Sequence, residues 1–276
     1  MPDSKNEIAA GFREEIISST VIPCANFKLS AEPCGVFDSK VGGLPYLPRG
    51  AKPPVEPKGK KLLYHLAQIN CEDIAGLPDF PHRGMLQFFI SDDDLYGCPF
   101  TVPSPQTDWR VIYYPEIDRT VDPSAIAALY AGQPKAELSP IERECKMNFA
   151  LSQEGITTGD FRYEQLFLKR WNETFPEDAA EDFFEIDTDL YEDIFDEANE
   201  LPKLCSKMGG YPYFTQFDPR SVETSRYDTL LFQLDTDMRK EIGVMWGDAG
   251  VGNFFINREK LKALDFSDVL YNWDCG

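Results

Sequence analysis

Four short blocks recur in one order along this chain, and that recurrence restricts its fold more than any other feature of the 276 residues. GGLPY at Gly42–Tyr46 returns as GGYPY at Gly209–Tyr213, LAQIN at Leu66–Asn70 as LFQLD at Leu231–Asp235, and GMLQFFI at Gly84–Ile90 as GVGNFFI at Gly250–Ile256, at offsets of 167, 165 and 166 residues. VIYYPE at Val111–Glu116 and VLYNWD at Val269–Asp274 close the series. All blocks but the first are runs of Val, Ile, Leu, Phe and Tyr between Gly and Pro punctuation, which reads as strand. The expectation is an α+β protein: two duplicated, mainly antiparallel β-rich units related by pseudo-twofold symmetry, with a helical acidic insertion between them. In residues, a single compact domain 1–276 would hold unit one at 42–116, the insertion at 117–208 and unit two at 209–274.

Within the units, a period of two in LLYHLAQINC puts His65, Ala67, Ile69 and Cys71 on one face and Tyr64, Leu66, Gln68 and Asn70 on the other. IGVMW, GDAG and VGNFFI read as a hairpin around a Gly-rich turn. Helices are expected outside the blocks: Asp122 with Pro123 opens SAIAALYAG, Asp160 opens FRYEQLFLKRW, and EKLKAL near Glu259 is short.

Charge narrows the partners. The chain carries 27 Lys+Arg against 47 Asp+Glu, a formal charge of −20 that opposes contact with nucleic acid and with anionic lipid. Thirteen of the acids lie between Asn172 and Pro202, where no basic residue occurs. Phe183, Phe184, Ile186, Leu190, Tyr191, Ile194 and Phe195 recur there at helix-compatible spacing, so the run reads as an acidic helix whose outer face is either simply solvated or a docking surface for a basic protein. The candidate surface is Glu181, Asp182, Glu185, Asp189, Glu192, Asp193, Asp196 and Glu197. Asp187 and Asp189 begin a DxD pattern, but no closing Glu follows at calcium-loop spacing. No stretch approaches the roughly 18 apolar residues of a spanning helix, and the first residues, MPDSKNEIAAGFREEIISST, with acids and no apolar h-region, are not expected to act as a secretion signal. Seven scattered cysteines without a CxxC suit free thiols in a reducing compartment, so a cytoplasmic location is expected.

Catalytic signatures are missing. Only His65 and His82 could serve as imidazole bases; His65 reads as a packed or rim residue and His82 as a loop residue. His65 and Cys71 would lie about 20 Å apart on one strand, too far for a nucleophile–base pair. No GxSxG elbow, phosphate loop or His-based zinc spacing occurs, so no catalytic residue, metal or cofactor is assigned. What remains is a candidate cleft between the two units, formed by Tyr46, Gln68, Asn70, Glu116, Tyr213, Gln233, Asp235 and Asp274. Its carboxylates either converge on a ligand or cap strand ends, and the GG–Pro–Tyr blocks either anchor the chain through positive φ and close approach or line a pocket.

GGLPYLP, LAQIN, GMLQFFI, GGYPYF, LLFQLD, MWGDAGVGNFFI and the terminal VLYNWDC together resemble the YwqG-like family of bacterial proteins over about Val41 to Cys275. The resemblance implies one α+β fold built by duplication, with no enzymatic activity, cofactor or catalytic residue to carry over. It also implies a protein-binding role, including immunity to a toxin encoded nearby. Non-catalytic protein binding is therefore the leading expectation, and an enzyme or small-molecule binder with an inter-unit cleft is the alternative. Oligomeric state is left open.

Overall fold

The computed structural model describes residues 5–57, 61–101, 105–186 and 206–276. Helix α1 (Lys5–Ser19) is followed by strands β1 (Ile22–Ser30), β2 (Lys40–Val41), β3 (Tyr64–Asn70), β4 (Met85–Ile90) and β5 (Trp109–Tyr114). Then come α2 (Pro123–Tyr130), β6 (Cys145–Glu154), α3 (Phe161–Thr174), β7 (Lys207–Gly209), β8 (Thr229–Asp235), β9 (Val251–Ile256), α4 (Arg258–Lys262) and β10 (Val269–Asp274).

All ten strands belong to one antiparallel sheet in the order β10-β9-β8-β7-β1-β6-β2-β3-β4-β5. The sheet curls into a near-closed barrel. Trp109 on edge strand β5 meets Tyr271 on edge strand β10 at 5.5 Å between ring centroids, and Phe88 of β4 stacks on Phe232 of β8 at 4.6 Å. These rings, with Phe254, Phe27, Leu234 and Ile69, fill the interior as a buried apolar core.

Two separate β-rich units with a helical insertion are therefore the wrong description. The sheet is continuous because β1, which precedes the first sequence block, pairs along its whole length with β6, from Ile22 opposite Glu154 to Ser30 opposite Lys146. Strand β6 lies inside the stretch expected to be helical. The two strands form the middle of the sheet and join the segments that carry the blocks. Their own signal is period-two alternation: Ala25, Phe27 and Leu29 on β1, and Cys145 and Met147 on β6, face the core.

The alternation expected for β3 also breaks. Its register against β4 shifts between His65 and Ala67, a bulge that sends both Leu66 and Ala67 inward and leaves His65 outside the core. Strand β8 has a bulge between Leu230 and Phe232, which turns Leu231 and Phe232 inward while Leu230 joins a separate cluster with Phe214, Tyr227 and Phe255. The expected IGVMW hairpin arm is not a strand either. Val244 makes isolated bridges to Ile141 and Asp237, and β9 pairs instead with β8 and β10.

Helix starts follow their caps. Asp122 accepts the Ser124 N–H ahead of α2, and Asp160 accepts the Arg162 N–H ahead of α3. Helices α1 and α3 pack together in a cluster apart from the barrel core, with Phe12 edge-on to Phe167 at 6.1 Å. Phe183 and Ile186 are buried in that cluster and Phe184 is exposed. The rest of the expected acidic helix, including Asp187 and Asp189, lies outside the described residues.

Candidate functional site

The recurring glycine pairs sit in a longer local pattern, Ser39-Lys40-Val41-Gly42-Gly43 and Ser206-Lys207-Met208-Gly209-Gly210. Each serine hydroxyl accepts a strand-end amide: Asn70 N donates to Ser39 Oγ at 2.9 Å, and Asp235 N to Ser206 Oγ at 3.0 Å. Both lysines are buried. A charge in that setting requires a partner. Glu144, the residue before β6, and Glu154, its last residue, supply one each: Lys40 pairs with Glu144, and Lys207 Nζ with Glu154 at 2.7 Å. Glu154 also accepts the Tyr211 N–H at 2.7 Å, so one carboxylate neutralises a lysine and fixes a loop.

This close approach explains the glycines. Gly43 and Gly210 have φ of +68° and +69°, and a Cβ on either would collide with the carboxylate of Glu144 or Glu154.

Beyond each glycine pair the chain is held by an amide side chain. Gln68 accepts from Tyr46 N at 2.8 Å and donates to the carbonyls of Val36 and Asp38 at 2.9 and 2.8 Å. Gln87 donates to Tyr46 O at 2.8 Å. In the second loop Gln233 accepts from Tyr213 N at 2.8 Å and Asn253 donates to Tyr213 O at 3.0 Å.

The structure thus brings Tyr46 to Gln68 and Tyr213 to Gln233, but these two sets lie on β3 and β8, with β2, β6, β1 and β7 between them in the sheet. The Tyr46 hydroxyl accepts the Asp118 N–H at 2.8 Å. Asn70 caps the turn after β3 through Glu72 N and donates to Phe37 O. Asp274 accepts from Thr215 N and Gln216 N, and burial raises its carboxyl above the usual range despite those bonds. Asp235 is half-buried and Glu116 is exposed. Of the polar side chains expected to line a cleft, those of Tyr46, Gln68, Asn70, Gln233 and Asp274 are spent on backbone groups.

A different concavity lies beside the first glycine loop. It has a volume of about 420 Å³ and is lined by Gly42–Pro45, Tyr64, His65, Tyr130, Gln133, Lys135 and Ile141–Glu144. The β3 bulge delivers His65 to it. His65 Nδ1 lies 2.8 Å from Gly42 O, so that nitrogen carries the proton and Nε2 carries the lone pair. Burial, reinforced by the nearby charge of Lys40, lowers the imidazole to about 3, so the ring is neutral at physiological pH. Its Nε2 and the Tyr130 hydroxyl are buried with no hydrogen-bond partner among the described residues.

Other reactive side chains are muted. Burial raises Cys24, Cys34 and Cys98 to about 11 and Cys71 to about 12, far from a thiolate at neutral pH. Among the described residues no three His, Cys, Asp or Glu side chains group so that they could hold a metal ion. A buried ion network sits elsewhere, where Arg220 contacts Asp160 at 2.9 Å and Asp218 at 2.7 Å and lies 4.2 Å over the Phe255 ring.

Of the expected partner surface, Glu181, Asp182 and Glu185 are exposed. Asp189, Glu192, Asp193, Asp196 and Glu197 lie outside the described residues. No described helix is long and apolar enough to cross a membrane.

Lys40, Lys207, Glu144 and Glu154 escaped the sequence reading, although starting the repeated block at Ser39 and Ser206 would have exposed both lysines. Tyr130 and the Arg220 network carried no comparable signal.

Fold and site together define a near-closed antiparallel barrel with an aromatic interior and outer loops locked by buried Lys–Glu pairs. The chain belongs to the family described as Domain of unknown function (DUF1963), which matches residues 39–275 and bears out the YwqG-like resemblance. That match takes in both Ser-Lys-x-Gly-Gly segments and leaves out β1. A comparison with curated proteins finds no match.

Proposed function

We propose that the protein acts by non-catalytic binding and that its acidic face meets a basic protein partner. The observation that carries this reading is the exposed carboxylate run after α3. Glu177, Glu181, Asp182 and Glu185 face solvent with no cation paired to them among the described residues, whereas neighbouring Asp178 meets Lys5 at 2.7 Å. Unpaired like charges at the surface repel one another, and a cationic partner relieves that repulsion and speeds encounter. A cytoplasmic location belongs to the same proposal, as does toxin neutralisation, the form of binding that the family resemblance implies.

The test is capture from a lysate of the source organism with the full-length chain at low and high salt. A stoichiometric basic protein should be recovered at low salt and lost both at high salt and with the triple variant Glu177→Gln, Glu181→Gln, Glu185→Gln. Recovery of no stoichiometric protein, or of one indifferent to salt and to the triple variant, refutes the proposal.

A further inference from the structure

Strand β6 is paired with β1 along its whole length, but its other edge is covered only at the start. Alternate residues of an antiparallel strand turn their main-chain groups to opposite sides. Phe27 N donates to Ser206 O and Gly210 N to Pro23 O, so the odd residues of β1 face β7. In the register that sets Ile22 opposite Glu154, the even residues of β6 therefore bond β1 and the odd ones point away. Met147 N keeps this phase by donating to Ser39 O at 2.9 Å, beside the short strand β2. Beyond it, the N–H and C=O groups of Phe149, Leu151 and Gln153 meet no partner among the described residues. Buried main-chain groups are paired almost without exception, so these face outward.

Elsewhere side chains cap strand edges. Arg239 donates to Leu29 O at 2.9 Å, Gln106 Oε1 accepts Val111 N at 2.8 Å, and the Cys98 thiol donates to Tyr271 O at 3.5 Å. Along β6 the usual protections of an open edge are absent: Asn148–Gln153 holds no charge, proline or bulge. Leu151 lies against Gly76 yet is 56% exposed.

The uncovered stretch, Asn148 to Glu154, is centred on Leu151. An antiparallel copy with Leu151 opposite Leu151 sets Phe149 of each chain opposite Gln153 of the other, so every open group meets an open group. A shift of one residue breaks that match. A shift of two in one direction drives the copy into Ser39 and Lys40, and in the other leaves Phe149 opposite Gly155, beyond the strand. Charge agrees: in a chain of −20, this strip has a single ionised group, Glu154, which Lys207 neutralises at 2.7 Å and which would face Asn148.

We propose that two copies of this chain join by antiparallel pairing of their β6 edges about a twofold axis at Leu151. The pairing is independent of the acidic face and of any partner met there.

The experiment is sedimentation equilibrium of the full chain from low to high micromolar concentration. A dimer should form, and Leu151→Lys, which sets two like charges on the axis, should raise its dissociation constant about tenfold or more. Leu129→Lys, at an exposed leucine of α2, should leave it unchanged. An unaltered thermal midpoint in Leu151→Lys, read at a dilution where both chains are monomeric, separates lost pairing from lost fold. A short bismaleimide should link Leu151→Cys copies above the level of the unsubstituted chain, but not Asn148→Cys copies, which would lie about 20 Å apart along the seam. The assignment is overturned by a monomer at every concentration, including one that takes up a foreign extended peptide at this edge. A dimer indifferent to Leu151→Lys, or cross-linking at Asn148→Cys as strong as at Leu151→Cys, overturns it equally.

Discussion

Replacing Gly43 with alanine should destabilise the protein mainly through a residue that the new methyl group does not touch. The direct backbone cost, an alanine at φ +68°, is about 1 kcal/mol. The added Cβ would also collide with the Glu144 carboxylate, whose side chain is 36% exposed and can swing into water. Lys40 cannot follow, because its side chain is only 1% exposed. Stripping a buried charge of its partner costs on the order of 3–5 kcal/mol. The total is then about 4–6 kcal/mol, and at roughly 2 °C per kcal/mol for a chain of this length the melting midpoint falls by about 8–12 °C.

Circular dichroism of thermal and denaturant unfolding measures this in Gly43→Ala, Lys40→Met and the double variant. With Lys40 already removed, Glu144 has nothing to desert, so Gly43→Ala should cost only its backbone part, leaving a coupling of about 3–5 kcal/mol between the two sites. Gly132→Ala is the control: a Cβ there meets nothing within 4 Å, so its effect should stay within about 0.5 kcal/mol. If Gly43→Ala costs the same with and without Lys40, the buried pair is not what the glycine protects.

Two further outcomes concern buried groups. At Asp160 burial pushes the carboxyl upward, but the Arg162 hydrogen bond and the charges of Arg220 and Arg162 outweigh it and hold the group below its ordinary 3.8. Its stabilisation is therefore complete above about pH 4 and is lost as pH falls through the lowered folded value. Asp160→Asn should cost on the order of 3 kcal/mol at pH 7 and flatten the acid limb of the stability profile, read from urea midpoints between pH 2 and 7. Native-state alkylation at pH 8 followed by peptide mass spectrometry should spare Cys24, Cys71, Cys98 and Cys145, all buried with raised thiols, until denaturant is added.

Much of the local structure was legible because its causes are local. The caps at Asp122 and Asp160, the strand character of β3–β5 and β8–β10, and the positive-φ glycines of the GG–Pro–Tyr loops each follow from a few adjacent residues. The arrangement of the sheet was not legible, since β1 and β6 contain no repeated block and their pairing depends on residues far apart in sequence. Neither were the bulges. Leu66 and Ala67 are both apolar, so nothing in the pattern says that both turn inward. The site suffered most from this, because the bulge decides where His65 goes. Lys40 and Lys207 were overlooked for a related reason: a lysine reads as solvent-facing until the distant glutamate that neutralises it is placed.

The central position of β1 bears on how the chain must be born. Among the described strands it is made first, yet its neighbours β6 and β7 are made only after β2–β5. During synthesis β1 waits with both edges open, a state that invites strand exchange with other nascent chains and suits capture by a holding chaperone. Closure of the barrel should accordingly be late, and its non-local pairings should make it slow. Translation speed through the region that encodes β6 should therefore govern yield more than it would for a sheet laid down in sequence order.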